Sequence, residues 1–411
     1  MKLSTVTKMI CSVSCALLLS TGSATAQEKN VIRIGMTVSS TGSFALASQS
    51  GARGVEIWVD EVNGRGGIDL NGKKYKVELI QRDDRSDKQM VSRVYETLIT
   101  DDKVDFLFSP FGSTLTAAAA TITERMNKLL VIWSASNDKL YQQGFKNMFS
   151  ATQEPASHQP RPSIELAAHL GHKKIAIAYS DEPFTTAFGE NAKALAEKNH
   201  LEVVMFDKYP KGQKDFSTII QKAKALGADV FYPTSYEGDL MSMAKQLRQL
   251  NISFPMTYMF YSTTPQFQTV GKDAEYIFGS TNYHSSLNWK VNAGYDRAQF
   301  LAAYNRIHPK AAYEPDFQTL LAYGAGVIAE KVIEKAGTFT DAAAMKKAAV
   351  ELSGKVTVAA GPYAIDETGK QLEMAWAVLQ QQPGKGYVAV WPEAVANAKA
   401  IDPAPAWSDR K

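Results

Sequence analysis

The chain has 411 residues, 45% of them apolar and 21% charged, with a formal net charge of +3. That length fits two domains, and that balance provides no basic field to hold nucleic acid or an anionic membrane. The two cysteines, Cys11 and Cys15, both lie near the start, so no disulfide framework, thiolate metal site or cysteine nucleophile is expected in the remainder.

Met1-Lys2 and Lys8 precede an apolar run over 9–19, and Ala24-Thr25-Ala26 stands before Gln27. A cationic start, a short apolar core and a small-x-small exit are the parts of a secretory signal peptide over 1–26. The run is about eleven residues, short of the roughly twenty that a membrane-spanning helix needs. Cleavage after Ala26 leaves a thiol-free chain of about 385 residues, free in the periplasm. Ser12-Val13-Ser14 before Cys15 offers lipid attachment as an alternative, against which the apolar run continues past the cysteine to Leu19.

From Gln27 onward, strand and helix patterns alternate. The β-rich run over 31–38 reads as an opening strand. A helix over 48–62 stops at Asn63-Gly64-Arg65-Gly66-Gly67, where glycines permit left-handed backbone. A strand over 75–82 follows. Asp87 caps a helix whose apolar residues Val91, Val94, Tyr95, Leu98 and Ile99 recur at helical spacing. Strands over 104–108 and 129–133 flank a helix over 113–126. The cycle restarts near Pro160, with helices over 163–170, 187–198, 216–226 and 238–250. Strands over 174–179, 201–206, 230–233 and 254–259 lie between them. Such alternation implies α/β architecture with parallel sheets and right-handed crossovers, here two doubly wound lobes split near Thr152.

The last third differs. Long helices over 293–307 and 316–335, the second closed by Gly337, precede a third over 341–352. A strand-turn stretch over 360–369 then leads to strands over 374–380 and 386–391. The chain is thus expected to return to lobe one and finish in lobe two. The tail over 400–411, with Pro403 and Pro405, is expected to be loosely ordered.

Several chemistries are absent. No GxGxxG follows the first strand, and neither a GxxxxGK[ST] loop nor a GxSxG elbow occurs. The histidines form no HxxxH pair. Asp83-Asp84-Arg85-Ser86-Asp87 lacks the glycine and glutamate of a calcium loop and reads as a solvated helix entry. No catalytic group, metal or cofactor is expected.

In doubly wound sheets, ligands bind beyond the carboxyl ends of strands. In lobe one these ends carry Ser39-Ser40-Thr41-Gly42-Ser43-Phe44, then Ser109-Pro110-Phe111-Gly112-Ser113-Thr114, then Ser134-Ala135-Ser136-Asn137. Small hydroxylated loops entering helices offer N–H and O–H groups to a carboxylate. Serines also cap helices without any ligand, but three such loops on one sheet point to a site. The matching ends of lobe two are aromatic and include Phe184, Phe188, Tyr236 and Tyr261. About half of these would be core; Tyr236 and Tyr261 adjoin polar turns and are the better candidates. An apolar wall facing an anion-binding wall suits a small amphiphilic acid.

Taken in order, Ile32-Arg33-Ile34-Gly35 with Ser40-Thr41-Gly42, Asn63-Gly64-Arg65-Gly66-Gly67-Ile68 and Asp83-Asp84 form the first half of a pattern. Lys214-Asp215-Phe216-Ser217, Gly361-Pro362 and Asp366-Glu367-Thr368-Gly369 continue it. Over nearly the whole exported part, the chain resembles the periplasmic solute-binding proteins of ABC importers, in the group of the leucine/isoleucine/valine-binding protein. The resemblance implies a type I periplasmic binding protein: two lobes, 27–152 plus 284–356 and 153–283 plus 357–411, joined by three hinge crossings and closing on ligand. It also implies capture of a branched-chain or related amino acid, or alternatively an aromatic or other small carboxylate, by a monomer that serves membrane permease subunits. An exported sensor is the further alternative. Ser113 matches the serine that holds the ligand carboxylate, and Ala135 and Ser136 match the pair that holds its polar end. Phe44 and Phe188 fall where the family often places pocket tyrosines, and Tyr236 matches an aromatic of the second lobe.

Two departures stand out. Gly112 takes the place of a family cysteine. The glutamate that pairs with a ligand ammonium is replaced near Met259, and no acidic residue occurs between Asp239 and Asp273. Either Asp181, Glu182 or Glu237 takes that role, or the ligand carries no ammonium.

Overall fold

The computed structural model describes residues 30–410, so the leader, its cleavage point and Cys15 lie outside the described residues. The opening strand is Val31–Val38 (β1), with Ile32, Ile34 and Met36 fully buried. Ala45–Gly64 (α1), Ile68–Leu70 (β2), Lys73–Asp83 (β3) and Lys88–Thr100 (α2) follow. Asp87 caps α2 by accepting from the Met90 N–H, and Val91, Tyr95, Leu98 and Ile99 are its buried face, with Val94 half-buried. Phe106–Phe108 (β4), Ser113–Arg125 (α3), Leu130–Ile132 (β5) and Met148–Ser150 (β6) complete the first sheet, in the order β2-β3-β1-β4-β5-β6. Its pairings are parallel except that of β2 with β3.

The second sheet begins after Arg161–His169 (α4). Lys174–Ser180 (β7), Pro183–Lys198 (α5), Glu202–Tyr209 (β8), Ser217–Ala225 (α6) and Val230–Thr234 (β9) alternate. Glu237–Gln249 (α7), Met256–Tyr258 (β10) and Ile277–Thr281 (β11) continue the run. The chain then leaves for Arg297–Ile307 (α8), Phe317–Ala336 (α9), Ala342–Glu351 (α10) and a small hairpin of Val356–Val358 (β12) and Gly361–Tyr363 (β13). It returns as Ala377–Gln382 (β14) and Gly386–Trp391 (β15), giving the order β15-β14-β11-β10-β9-β7-β8. β14 and β15 are antiparallel additions to an otherwise parallel sheet. The chain crosses between the halves three times, over 151–160, 282–296 and 364–376.

The long helix α9 returns to the first half because its surface fits α1. A Cβ on Gly54 would lie 2.1 Å from the Thr319 carbonyl oxygen, and one on Gly326 would lie 2.4 Å from the Trp58 ring. Ser50 donates to Asp316 Oδ1 at 2.7 Å, and Asp316 in turn caps α9 by accepting from the Thr319 N–H. The helix ends at Gly337, whose φ of 68° is left-handed.

Strands β2, β6, β11 and β12 are absent from the sequence reading. β2 and β6 have three residues each, and β11 is broken in pattern by Gly279, where a Cβ would meet the Met259 carbonyl at 2.9 Å. The helix expected from 293 begins at Arg297, because Asp296 and Gln299 form a reciprocal capping box. The tail is docked rather than loose. The Ala404 N–H donates to the Pro255 carbonyl at 2.8 Å, Trp407 Nε1 donates to the Ile252 carbonyl at 2.8 Å, and Arg410 stacks over the Trp407 ring. Among the described residues, no helix is long and apolar enough to cross a membrane, and no acid, histidine or cysteine cluster could hold a metal ion.

Candidate functional site

The three serine loops stand at the carboxyl ends of β1, β4 and β5, as expected of the first sheet. The first is tied to its neighbour. Buried Asp84 accepts from Thr37 Oγ1 at 2.6 Å, Ser39 Oγ at 2.5 Å and the Ser86 N–H at 2.9 Å. The second loop turns at Gly112, φ 81°, to start α3 with Ser113. Ser113 Oγ accepts from the N–H groups of Ser136 at 3.2 Å and Asn137 at 3.1 Å. A hydroxyl has two acceptor positions and one proton, so the Ser113 O–H remains free to donate. It lies at the positive end of the α3 dipole.

The third loop is held from behind. The Ser136 carbonyl accepts from the Ala156 N–H at 2.6 Å, and the Ala135 carbonyl accepts from the Tyr141 hydroxyl at 3.0 Å. Asn137 Nδ2 donates to the Pro183 carbonyl at 3.0 Å, linking this loop to the start of α5 in the second half.

Aromatic rings close the other side. The Tyr236 ring lies 5.0 Å from Phe44, 6.0 Å from Phe111, 5.8 Å from Phe184 and 6.2 Å from Tyr261. Tyr261 stacks on Phe317 of α9 at 5.8 Å. Between these walls lies a narrow cavity of about 10 Å³, room on the order of one water. Its polar lining is Ser113, Ser134, Ser136, Gln153, Gln159 and Gln318, and its aromatic lining includes Phe111, Trp133, Phe184, Tyr236, Tyr261 and Phe317.

Four of the seven residues expected at the site, Ser113, Ser136, Tyr236 and Tyr261, line this cavity together. Phe44 packs edge-on to Tyr236, outside the lining, with the Lys211 ammonium 4.9 Å from its ring centre. Ala135 lies one residue from two lining positions with its carbonyl turned to Tyr141. Phe188 sits in the core of the second half, between Phe184, Tyr232 and Phe260. Sequence reasoning missed Trp133, Phe317 and the three glutamines. Gln153 and Gln159 lie on the first crossing, and Gln318 sits in the first turn of α9, where only the fold brings them to the strand ends.

No lining residue is acidic among the described residues. Asp181 is exposed beside Lys208 at 3.2 Å, and Glu182 pairs with Lys211 at 2.6 Å. Glu237 is buried at the start of α7, and burial pushes its carboxyl up to about 8, with Asp316 adding to the rise. Its Oε1 has no hydrogen-bond partner, nor has Asp316 Oδ2. Burial raises the Asp316 carboxyl too, opposed by bonds from Thr319 and Ser50. Both acids adjoin lining residues, Tyr236 and Phe317, without entering the lining themselves.

Two doubly wound halves, three crossings and a cavity between the strand ends define a two-lobed solute-binding protein with the type I periplasmic binding fold. The family model described as "Periplasmic binding protein" matches residues 31–386. The chain belongs to that family. The Leu/Ile/Val-binding protein homolog 7 of Brucella abortus is 27% identical over 388 residues, covering 89% of this chain and 92% of that protein. Two solved structures share the fold. The LivJ branched-chain amino acid binding protein of Streptococcus pneumoniae, in complex with isoleucine, is 21% identical with a TM-score of 0.73, over 87% of this chain and 99% of its own. A solute binding protein of an ABC transporter from R. palustris, in complex with 4-hydroxybenzoate, is 21% identical with a TM-score of 0.75, over 92% and 99%.

Proposed function

We propose that the protein is the periplasmic substrate-binding component of an ABC importer, a monomer that captures a small aromatic carboxylate and hands it to permease subunits. In this reading 27–152 with 284–356 form one lobe, 153–283 with 357–411 form the other, and the lobes close around the ligand. The observation that carries the ligand class is the lining itself: serine hydroxyls at a helix start, a wall of aromatic rings, and no acid. Ser113 and the α3 N-terminus suit a carboxylate. The rings suit a flat apolar body. An α-ammonium buried there without a carboxylate partner would cost several kcal/mol. The R. palustris neighbour, solved with 4-hydroxybenzoate, supports an aromatic acid on this fold.

A branched-chain amino acid is the second reading. The unpartnered Glu237 Oε1 and the Leu/Ile/Val-binding relatives favour it, Glu237 then receiving the ammonium. Thermal melts with benzoate and with leucine at equal concentration separate the two. Benzoate is expected to raise the melting temperature more. A larger rise with leucine would replace the first reading by the second.

A further inference from the structure

Gln318 is the second residue of α9 and lines the cavity while only 2% exposed. Neither its amide nitrogen nor its amide oxygen has a hydrogen-bond partner. With both ends unpaired, exchanging the two by a flip of the amide leaves the argument unchanged. Gln159 lines the same cavity. Its Nε2 donates to the Glu154 carbonyl at 2.6 Å, which leaves a buried Oε1 unpartnered. The Tyr236 hydroxyl is a third buried, unpartnered group in the lining. Native interiors pair nearly all such groups with protein, water or ligand, so three on one cavity mark where a bound ligand, displacing water, must supply the partners.

The inventory of donors and acceptors narrows that ligand. The Gln318 amide needs an acceptor for its NH₂ and a donor for its oxygen. A carboxylate only accepts, and Ser113 already provides it a donor. An ammonium only donates. A bare ring or a methyl group does neither. A hydroxyl does both, and no cation or carboxylate in the lining is placed to hold a charged substituent instead.

We infer that the ligand carries an uncharged hydroxyl besides its carboxylate, and that Gln318 selects for it. The inference rests on the aromatic carboxylate reading above and names the substrate class within it. Selection of this kind is strong because a ligand lacking the hydroxyl leaves the buried amide unpaired.

Calorimetry of the purified protein with benzoate, 3-hydroxybenzoate and 4-hydroxybenzoate tests it. One hydroxybenzoate is expected to bind at least roughly tenfold tighter than benzoate. In Gln318→Leu, similar in size and apolar, that ratio is expected to fall to about one. Benzoate binding as tightly as both hydroxybenzoates overturns the inference and leaves the ligand class standing; this arm uses the wild type alone and is independent of how the variant folds. A preference that survives Gln318→Leu removes Gln318 as the selector. Failure of all three acids to bind overturns the ligand class itself.

Discussion

Ser113 and Glu237 show how differently two buried polar side chains are set. Ser113 Oγ already accepts from two backbone N–H groups, so its proton has only the cavity to serve. Ser113→Ala is therefore expected to weaken ligand binding by about 1–3 kcal/mol, the worth of one charge-assisted bond. Unchanged affinity in calorimetry would place the carboxylate elsewhere. Glu237 has no such outlet. Its folded-state value of about 8 stands above the usual 4.5, with Thr264 as its side-chain partner and Asp316 and Tyr261 as its ionisable neighbours. Below the usual value both the folded and unfolded chains hold the proton. Between the two values only the folded chain keeps it, so stability falls as pH rises, and the loss levels off above about 8. Melts from pH 5 to 8 should show wild type losing stability relative to Glu237→Gln, by an amount on the order of a few kcal/mol. Parallel pH curves for the two proteins would mean that Glu237 ionises normally in the fold. Ser113, Ser136, Tyr236 and Tyr261 were legible as lining residues because each lies just past a strand end, where such folds bind ligands. Gln318 was not. One residue inside a helix start, it reads as an ordinary polar first turn, and only the approach of α9 to the strand ends gives it another use.

At the scale of elements, the packing of α1 on α9 depends on missing side chains. Alanine is the better helix former by about 0.5–1 kcal/mol, which alone would favour Gly54→Ala. The new Cβ, however, would meet a main-chain oxygen of α9 at 2.1 Å. Backbone in a packed helix yields little, and overpacking of this kind costs about 1–3 kcal/mol, so clash outweighs propensity. Gly64, with open space around its Cβ position, is the control. Urea unfolding is expected to show Gly54→Ala losing about 1–2 kcal/mol and Gly64→Ala losing nothing. Equal stability of all three proteins would mean that the two helices slide apart freely. The helices themselves were readable from apolar spacing, from the cap at Asp87 and from the stop at Gly337. β2 and β6 were not: unlike β4 and β5, equally short but unbroken apolar runs, each carries a polar residue, Asp69 or Ser150, and Gly279 interrupts β11. The tail was misread for a related reason: prolines signal an absence of regular structure, whereas Trp407 and its bond to the Ile252 carbonyl hold the segment down.

At the scale of the molecule, alternation of strand and helix carried the two parallel sheets, and helices followed by late strands carried the third crossing. What alternation cannot encode is direction at an edge. β14 joins β11 antiparallel, a pairing set by a return path of nearly a hundred residues rather than by local pattern. One feature of this layout has a practical use. Val31 begins β1 at the end of the first sheet remote from the cavity, and the tail is pinned beside Pro255 and Ile252, just before β10 in the second. No cysteine follows Cys15, so a single engineered thiol at each of these places would take a dye without competition from the described residues. The two dyes would ride on opposite halves, far from the ligand, and the distance between them would turn solute capture into a change of colour.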